Sequence, residues 1–187
     1  VEVNTISAEM AKVRDYVPDY AVMAHRGSTF WAPEETESAW RWAREMGADY
    51  LESDLQCTKD GVILANHDDN LKRTTNIENV YSELVPATRK AFYMRHGMSE
   101  EEAEKLVAAD KASFRPYYAM SYMYEELLAL DAGSWFNETS IEQARKSFAE
   151  KHQYVSALED QIRYAEGKML KRGSDGERIY TVTGTWD

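Results

Sequence analysis

The chain is short of the features that mark several large classes of protein. A single cysteine, Cys57, excludes an intrachain disulfide and leaves the redox compartment open. No apolar run reaches the roughly 18 residues of a membrane-spanning helix, and no intact signal peptide begins at Val1. Positive charge is scarce: 22 Lys and Arg stand against 33 Asp and Glu, for a net charge of −11. No basic cluster offers the counterion release on which nucleic-acid binding depends, so a nucleic-acid partner is not expected. A small anionic ligand would have to be drawn in by local positive charge, against the overall field. Tandem repeats and low-complexity segments are missing too. What is present, 43% hydrophobic and 29% charged residues over 187 positions, supports one globular domain with a sizeable core.

The chemistry-bearing residues gather between Ala24 and Asn76. Residues 20–24 (YAVMA) form a short apolar run that ends at His25 and Gly27, as expected of a buried parallel strand with polar residues at its C-terminal end. Pro33 then opens a helix with Glu34, Glu35 and Glu37 in its first turn, where acids favour the positive end of the dipole. Ala39, Trp40, Ala43 and Met46 recur at helical spacing and Gly47 stops the helix. A second strand is expected over 49–55, completing a right-handed βαβ unit. On that strand Glu52 and Asp54 are two apart, so the pleat projects both carboxylates to one side, where they can share a cation. The turn TKDG (58–61) leads into a third strand over 62–66. A two-residue hairpin at Asp60-Gly61 would set Asp54 opposite His67, and a longer loop would shift this by a residue or two.

Paired carboxylates, two histidines and an arginine suit hydrolysis of a phosphodiester. Carboxylate ligands favour a hard divalent cation, Mg²⁺ or Ca²⁺, over zinc. Two histidines can divide the roles of general base and general acid, and Arg26 can donate paired hydrogen bonds to phosphate oxygens.

Five segments carry a family resemblance: AHRG (24–27), APEET (32–36), GADYLESDLQCTKDG (47–61), NHDDNLKRTTN (66–76) and LDAGSWF (130–136). In that order they resemble the glycerophosphodiester phosphodiesterase family, with a weaker trace to about Glu166. The resemblance implies an α/β fold of the (β/α)8 TIM-barrel type and metal-dependent cleavage of glycerophosphodiesters to sn-glycerol 3-phosphate and an alcohol. It aligns His25 and His67 with the family's acid/base histidines, Arg26 with its phosphate-contacting arginine, and Glu52 and Asp54 with its metal-binding acids. Glu34, at the position of the family's PEN motif, either caps a helix or supports the site. Asp68 either supports the metal site or His67, or is solvated in its loop. Lys59 either assists phosphate binding or is a solvated turn residue. Arg73 is expected to brace its loop, Cys57 to serve packing or a turn, and His96 and His152 to lie on the surface. The family's third metal carboxylate has no match, since IYTVTGTWD has no acid in its body and Asp187 is terminal. Many bacterial relatives in the family are exported, so the resemblance implies the periplasm or cell envelope ahead of the cytoplasm.

Such barrels run to about 250 residues, so this chain of 187 is expected to carry the N-terminal part of a single barrel domain. Residues 78–123 depart from the family's short connection as a helical, aromatic-rich insertion. Helices are expected over 86–96 and, from the capping box Ser99-x-x-Glu102, to about Ala109. Phe114, Tyr117, Tyr118, Tyr122 and Tyr124 either pack the insertion against the barrel or wall a substrate site. Further helices are expected over 140–151 and 157–171, with a last strand over 179–183. Asn137-Glu138-Thr139 matches a glycosylation acceptor but reads more simply as a helix start. Two other functional classes fit the same residues. One is a cyclising phosphodiesterase of the phospholipase C or sphingomyelinase D type; the other is an inactive partial barrel acting as a binding module.

Overall fold

The computed structural model describes residues 20–136, 153–172 and 178–182. The helix expected over 140–151, the acceptor pattern at Asn137, His152 and Asp187 lie outside these residues. Among those described, the elements are β1 (Met23–Ala24), α1 (Glu37–Glu45), β2 (Tyr50–Leu51), β3 (Leu55–Cys57) and β4 (Ile63–Ala65). They are followed by α2 (Ile77–Val80), α3 (Arg89–Arg95), α4 (Glu100–Ser113), a 3₁₀ turn (Ala119–Ser121) and α5 (Tyr124–Leu127). Helix α6 (Leu158–Ala165), β5 (Lys168–Arg172) and β6 (Arg178–Val182) complete the set.

β1 and β2 are parallel, with Met23 beside Tyr50 and Ala24 beside Leu51, so β1–α1–β2 is the expected βαβ unit. Apolar spacing along α1 buries Ala39, Trp40 and Ala43. Trp40 packs with Ala65 of β4 and Tyr164 of α6, which ties the unit to the hairpin and to the later helix. Gly27 is essential at the exit from β1: its φ is +89°, and a Cβ there would lie 2.7 Å from the Cβ of Ala39.

Three boundaries differ from the sequence expectation, two because a local hydrogen bond outcompetes periodicity and one because of a glycine stop. Helix α1 begins after Thr36, not at Pro33, because Glu35 has φ +57° and the Thr36 hydroxyl accepts from the Ala39 amide. The strand expected over 49–55 stops at Leu51. The Asp54 amide donates to the Glu35 carboxylate at 2.8 Å and is lost to any ladder. The helix expected over 157–171 ends at Ala165, where Gly167, at φ +79°, supplies a left-handed stop, and Lys168–Arg172 turns back as β5 against β6.

The β3–β4 hairpin is also shifted by one residue. Leu55 faces Ala65 and Cys57 faces Ile63. The Thr58 and Val62 backbones pair at 2.9 Å, leaving Lys59, Asp60 and Gly61 as a three-residue loop with Gly61 at φ +85°. Asp54 therefore faces Asn66, whose amide donates to its carbonyl at 2.9 Å, and His67 comes one position later.

In the 78–123 segment the capping box at Ser99 and Glu102 forms, and α4 continues to Ser113. Its aromatic tail packs. Tyr122 and Tyr124 are buried with Leu64, Leu71, Ile77, Leu127 and Leu130 in the largest apolar cluster among the described residues, and Phe114 and Tyr117 cover it. None of the described helices is long and apolar enough to cross a membrane.

Candidate active site

The site is built where the end of β1 lies beside the short stretch that links β2 to β3. The C-terminal end of β1 delivers His25 and Arg26, the end of β2 delivers Glu52, and the bridge into β3 delivers Asp54. One ligand atom each from His25, Glu52 and Asp54 lies within 4.8 Å of the others. The strand pleat does not produce this convergence, because residues 52–54 lie outside the strands. Backbone capture does: the Glu52 amide donates to the Ala24 carbonyl at 3.1 Å, and the Asp54 amide donates to Glu35.

Arg26 is held in the left-handed region at φ +56°, a conformation that costs a non-glycine residue roughly 1–2 kcal/mol and is found where function over-determines the backbone. In that turn its amide donates to Glu52 Oε2 at 3.0 Å, and its Nη1 donates to Glu34 at 3.3 Å. Its Nε lies 2.9 Å from Asp54 Oδ2, yet both atoms are buried without a hydrogen bond. The two charges attract across a misaligned contact, and each keeps unspent hydrogen-bonding capacity. A carboxylate oxygen in that condition, beside Glu52, fits a divalent cation, and an arginine N–H in that condition fits an anion.

His67 is half exposed after β4, with Nδ1 2.5 Å from Asp68 Oδ1. Arg73 donates from Nε to Asp68 Oδ2 at 2.7 Å, and from Nη2 and Nη1 to Glu34 at 2.6 and 3.2 Å. The Arg73 hydrogen bond holds the Asp68 carboxyl below its usual range, against slight desolvation. Burial pushes Glu34 up, but hydrogen bonds and charge from Arg73 and Arg26 outweigh it and leave that carboxyl below its usual range. Glu34, Asp68 and Arg73 thus form one network, and Arg73 braces side chains from two loops. Lys59 is turned elsewhere, its ammonium 2.9 Å from Asp110 of α4. Cys57 is exposed at the end of β3, and His96 caps α3 with its ring stacked on Phe92.

Glu35 was absent from the residues expected at the site. It is 4% exposed and accepts from Ser53 Oγ at 2.6 Å and from the Asp54 amide at 2.8 Å. Burial pushes its carboxyl up to about 7, with the charges of Asp54 and Glu52 adding to the rise and its own hydrogen bonds opposing it. In the sequence it stands with Glu34 and Glu37 in the first turn of an expected helix, where an acid needs no role beyond favouring the dipole. The available signal was that residue 35 is Glu where the PEN motif ends in Asn.

A parallel βαβ start with His25, Arg26, Glu52 and Asp54 gathered beside its strand ends is the arrangement expected at the opening of a barrel of the phosphodiesterase type. The profile of the Glycerophosphoryl diester phosphodiesterase family matches residues 25–175. The chain belongs to this family. It is 31% identical over 126 residues to a glycerophosphodiester phosphodiesterase of Bacillus subtilis, covering 67% of this chain and 30% of that protein. A mouse glycerophosphoinositol inositolphosphodiesterase is 30% identical over 127 residues, covering 68% of this chain and 18% of its own length. The chain therefore spans less than a third of either relative. In structure it is similar to an Oleispira antarctica phosphodiesterase solved in complex with sn-glycerol-3-phosphate. The TM-score is 0.51 at 22% identity, over 82% of this chain and 42% of that one. That likeness supports the barrel-type fold; the described strands form three two-stranded pairs and no closed barrel.

Proposed function

We propose that the full-length protein hydrolyses glycerophosphodiesters to sn-glycerol 3-phosphate and an alcohol, with His25 and His67 as acid and base and a divalent cation, Mg²⁺ or Ca²⁺, on Glu52 and Asp54. The observation that carries this reading is the convergence within 4.8 Å of His25, after β1, with Glu52 and Asp54, in the stretch between β2 and β3. When bound, the cation would neutralise charge on the phosphoryl oxygens and acidify an attacking water. Arg26 stands beside the two acids, ion-paired with Asp54 through Nε, and its guanidinium can turn N–H donors to a phosphate oxygen. In hydrolysis the water oxygen forms a bond to phosphorus, one histidine takes the water's proton, and the other gives a proton to the alcohol oxygen as its P–O bond breaks. Two imidazoles in opposite protonation states suit this, since each returns to its starting form only after protons are exchanged with solvent.

Incubating the full-length protein with glycerophosphocholine and Mg²⁺ or Ca²⁺ tests the proposal, with products followed by phosphorus NMR. A phosphomonoester signal is expected, and His25→Ala and His67→Ala should each lower kcat by about 10²–10⁴-fold. A cyclic phosphate would reassign the chain to the cyclising phosphodiesterases. Intact diesters, with no binding of either cation, would support the binding-module reading.

A further inference from the structure

We propose that Arg73 is a positioning residue for His67: through Asp68 it fixes the histidine ring, and through Glu34 it ties that ring to the arginine and acid on the other side of the site. This deepens the two-histidine reading and rests on it. The bonds form an unbroken series. His67 Nδ1 meets Asp68 Oδ1 at 2.5 Å, Asp68 Oδ2 accepts from Arg73 Nε at 2.7 Å, and Arg73 Nη2 donates to Glu34 Oε1 at 2.6 Å. Glu34 Oε1 also accepts from Arg26 Nη1 at 3.3 Å, and Arg26 Nε lies 2.9 Å from Asp54.

An ionised carboxylate only accepts hydrogen bonds, so in the neutral ring Asp68 requires the proton on Nδ1 and leaves the Nε2 lone pair outward for proton transfer. Asp68 alone is a poor anchor, because it is a loop residue with a partly exposed carboxylate that can rotate away. Arg73 removes that freedom by engaging the other oxygen of the same carboxylate. A lysine could not do this, since its single ammonium cannot hold Asp68 and Glu34 in one plane as the guanidinium fork does. A residue that merely braced the 66–76 loop would need bonds within that loop. Arg73 instead reaches Glu34, 39 positions earlier in the chain, which belongs to the segment between β1 and α1. The result is a fixed relation between His67 and the Arg26–Asp54 side of the site, made without any direct contact between Arg73 and a reacting atom.

The test compares full-length wild-type protein with Arg73→Ala and Arg73→Lys. In the wild type, nitrogen-15 NMR of the His67 ring should show the Nδ1–H tautomer, and in Arg73→Ala the signals should move towards the Nε2–H form. Turnover of glycerophosphocholine by Arg73→Ala should show kcat lowered by about tenfold or more with KM within about twofold, as for other residues that orient a site from outside it. Millimolar guanidinium should restore part of that kcat. Arg73→Lys should keep the fold and fall between the two. An unchanged tautomer in both variants overturns the proposal, as does a raised KM at unchanged kcat, which would place Arg73 on the substrate phosphate. The tautomer measurement needs no turnover, so it decides the role of Arg73 even if the protein leaves such diesters intact.

Discussion

Arg26 and Arg89 each stand between two carboxylates, and the two clusters differ in what is left over. Arg89, on α3, is fully buried and saturated: it donates to both oxygens of Glu126 at 2.9 and 2.8 Å, to Asp110 at 2.6 Å and to the Ser121 carbonyl at 2.8 Å. Asp110 accepts in turn from Tyr93, and Lys59 lies 2.9 Å from its other oxygen. Arg26 sits in a partly open turn with a strained φ, and its contact with Asp54 leaves a donor and an acceptor unsatisfied. A closed cluster holds elements together. An open one keeps capacity for a ligand, at some cost in local stability. The contrast separates the structural role of the 78–123 insertion from the chemical role of the strand ends.

The largest expected effect breaks the closed cluster. Arg89→Ala leaves Glu126 buried without its counter-charge and Asp110 with Lys59 alone, and removing one partner of such a buried group costs about 3–5 kcal/mol. Urea denaturation of the full-length protein should show that loss. A loss below about 1 kcal/mol would mean that the cluster is not what docks α3 and α4 onto α5.

What could be read in advance follows the same division. That His25, Arg26, Glu52 and Asp54 gather in one place was legible because they sit in two short segments whose residue types answer one chemical demand. The βαβ unit was legible because Ala39, Trp40 and Ala43 repeat with the helical period. The Arg89 cluster was not, because its members are scattered from residue 59 to residue 126 and charged residues in an acidic helix ordinarily face water. Glu35 was hidden for a different reason. Its side chain turns inward to accept from the Ser53 hydroxyl and the Asp54 amide, and the capture of that amide also shortened the strand that periodicity had marked. Periodicity reports which face is buried; it does not report a side chain that competes with the backbone for hydrogen bonds. Gly167 is the converse case, a stop signal inside a pattern that looked continuous.

Glu35 gives the next effect in size and sharpens the contrast from the open side. Its carboxyl is raised from 4.5 to about 7 by burial. Below about pH 4.5 it is protonated in both folded and unfolded chains. Between there and about pH 7 the unfolded chain releases a proton that the folded protein keeps, so stability falls as pH rises through this window and levels off above it. A shift of this size corresponds to about 3 kcal/mol. Carboxyls held low, such as Asp110 and Asp68, contribute slopes of opposite sign, so the measurement is the difference between wild type and Glu35→Gln with divalent cations chelated. Glutamine can accept from the Asp54 amide and donate to Ser53 without titrating. The difference should grow from pH 4.5 to 7, and equal slopes would show that Glu35 is solvated.

The smallest expected change in stability belongs to Asp54→Asn, and it separates the two clusters most cleanly. The Arg26 and Asp54 side chains are partly exposed and their contact is poorly aligned, so its loss is worth less than about 1 kcal/mol. Repulsion among Asp54, Glu52 and Glu35 is relieved at the same time, which offsets part of even that. Cation binding has no such compensation, because the substitution removes the charge and one of the two acids proposed to hold the ion. Titration of the full-length variant with Mg²⁺ or Ca²⁺ should show affinity weakened by at least about tenfold while its denaturation midpoint stays near that of the wild type. The opposite pattern, lost stability with cation binding intact, would make the strand-end cluster a structural one like that around Arg89.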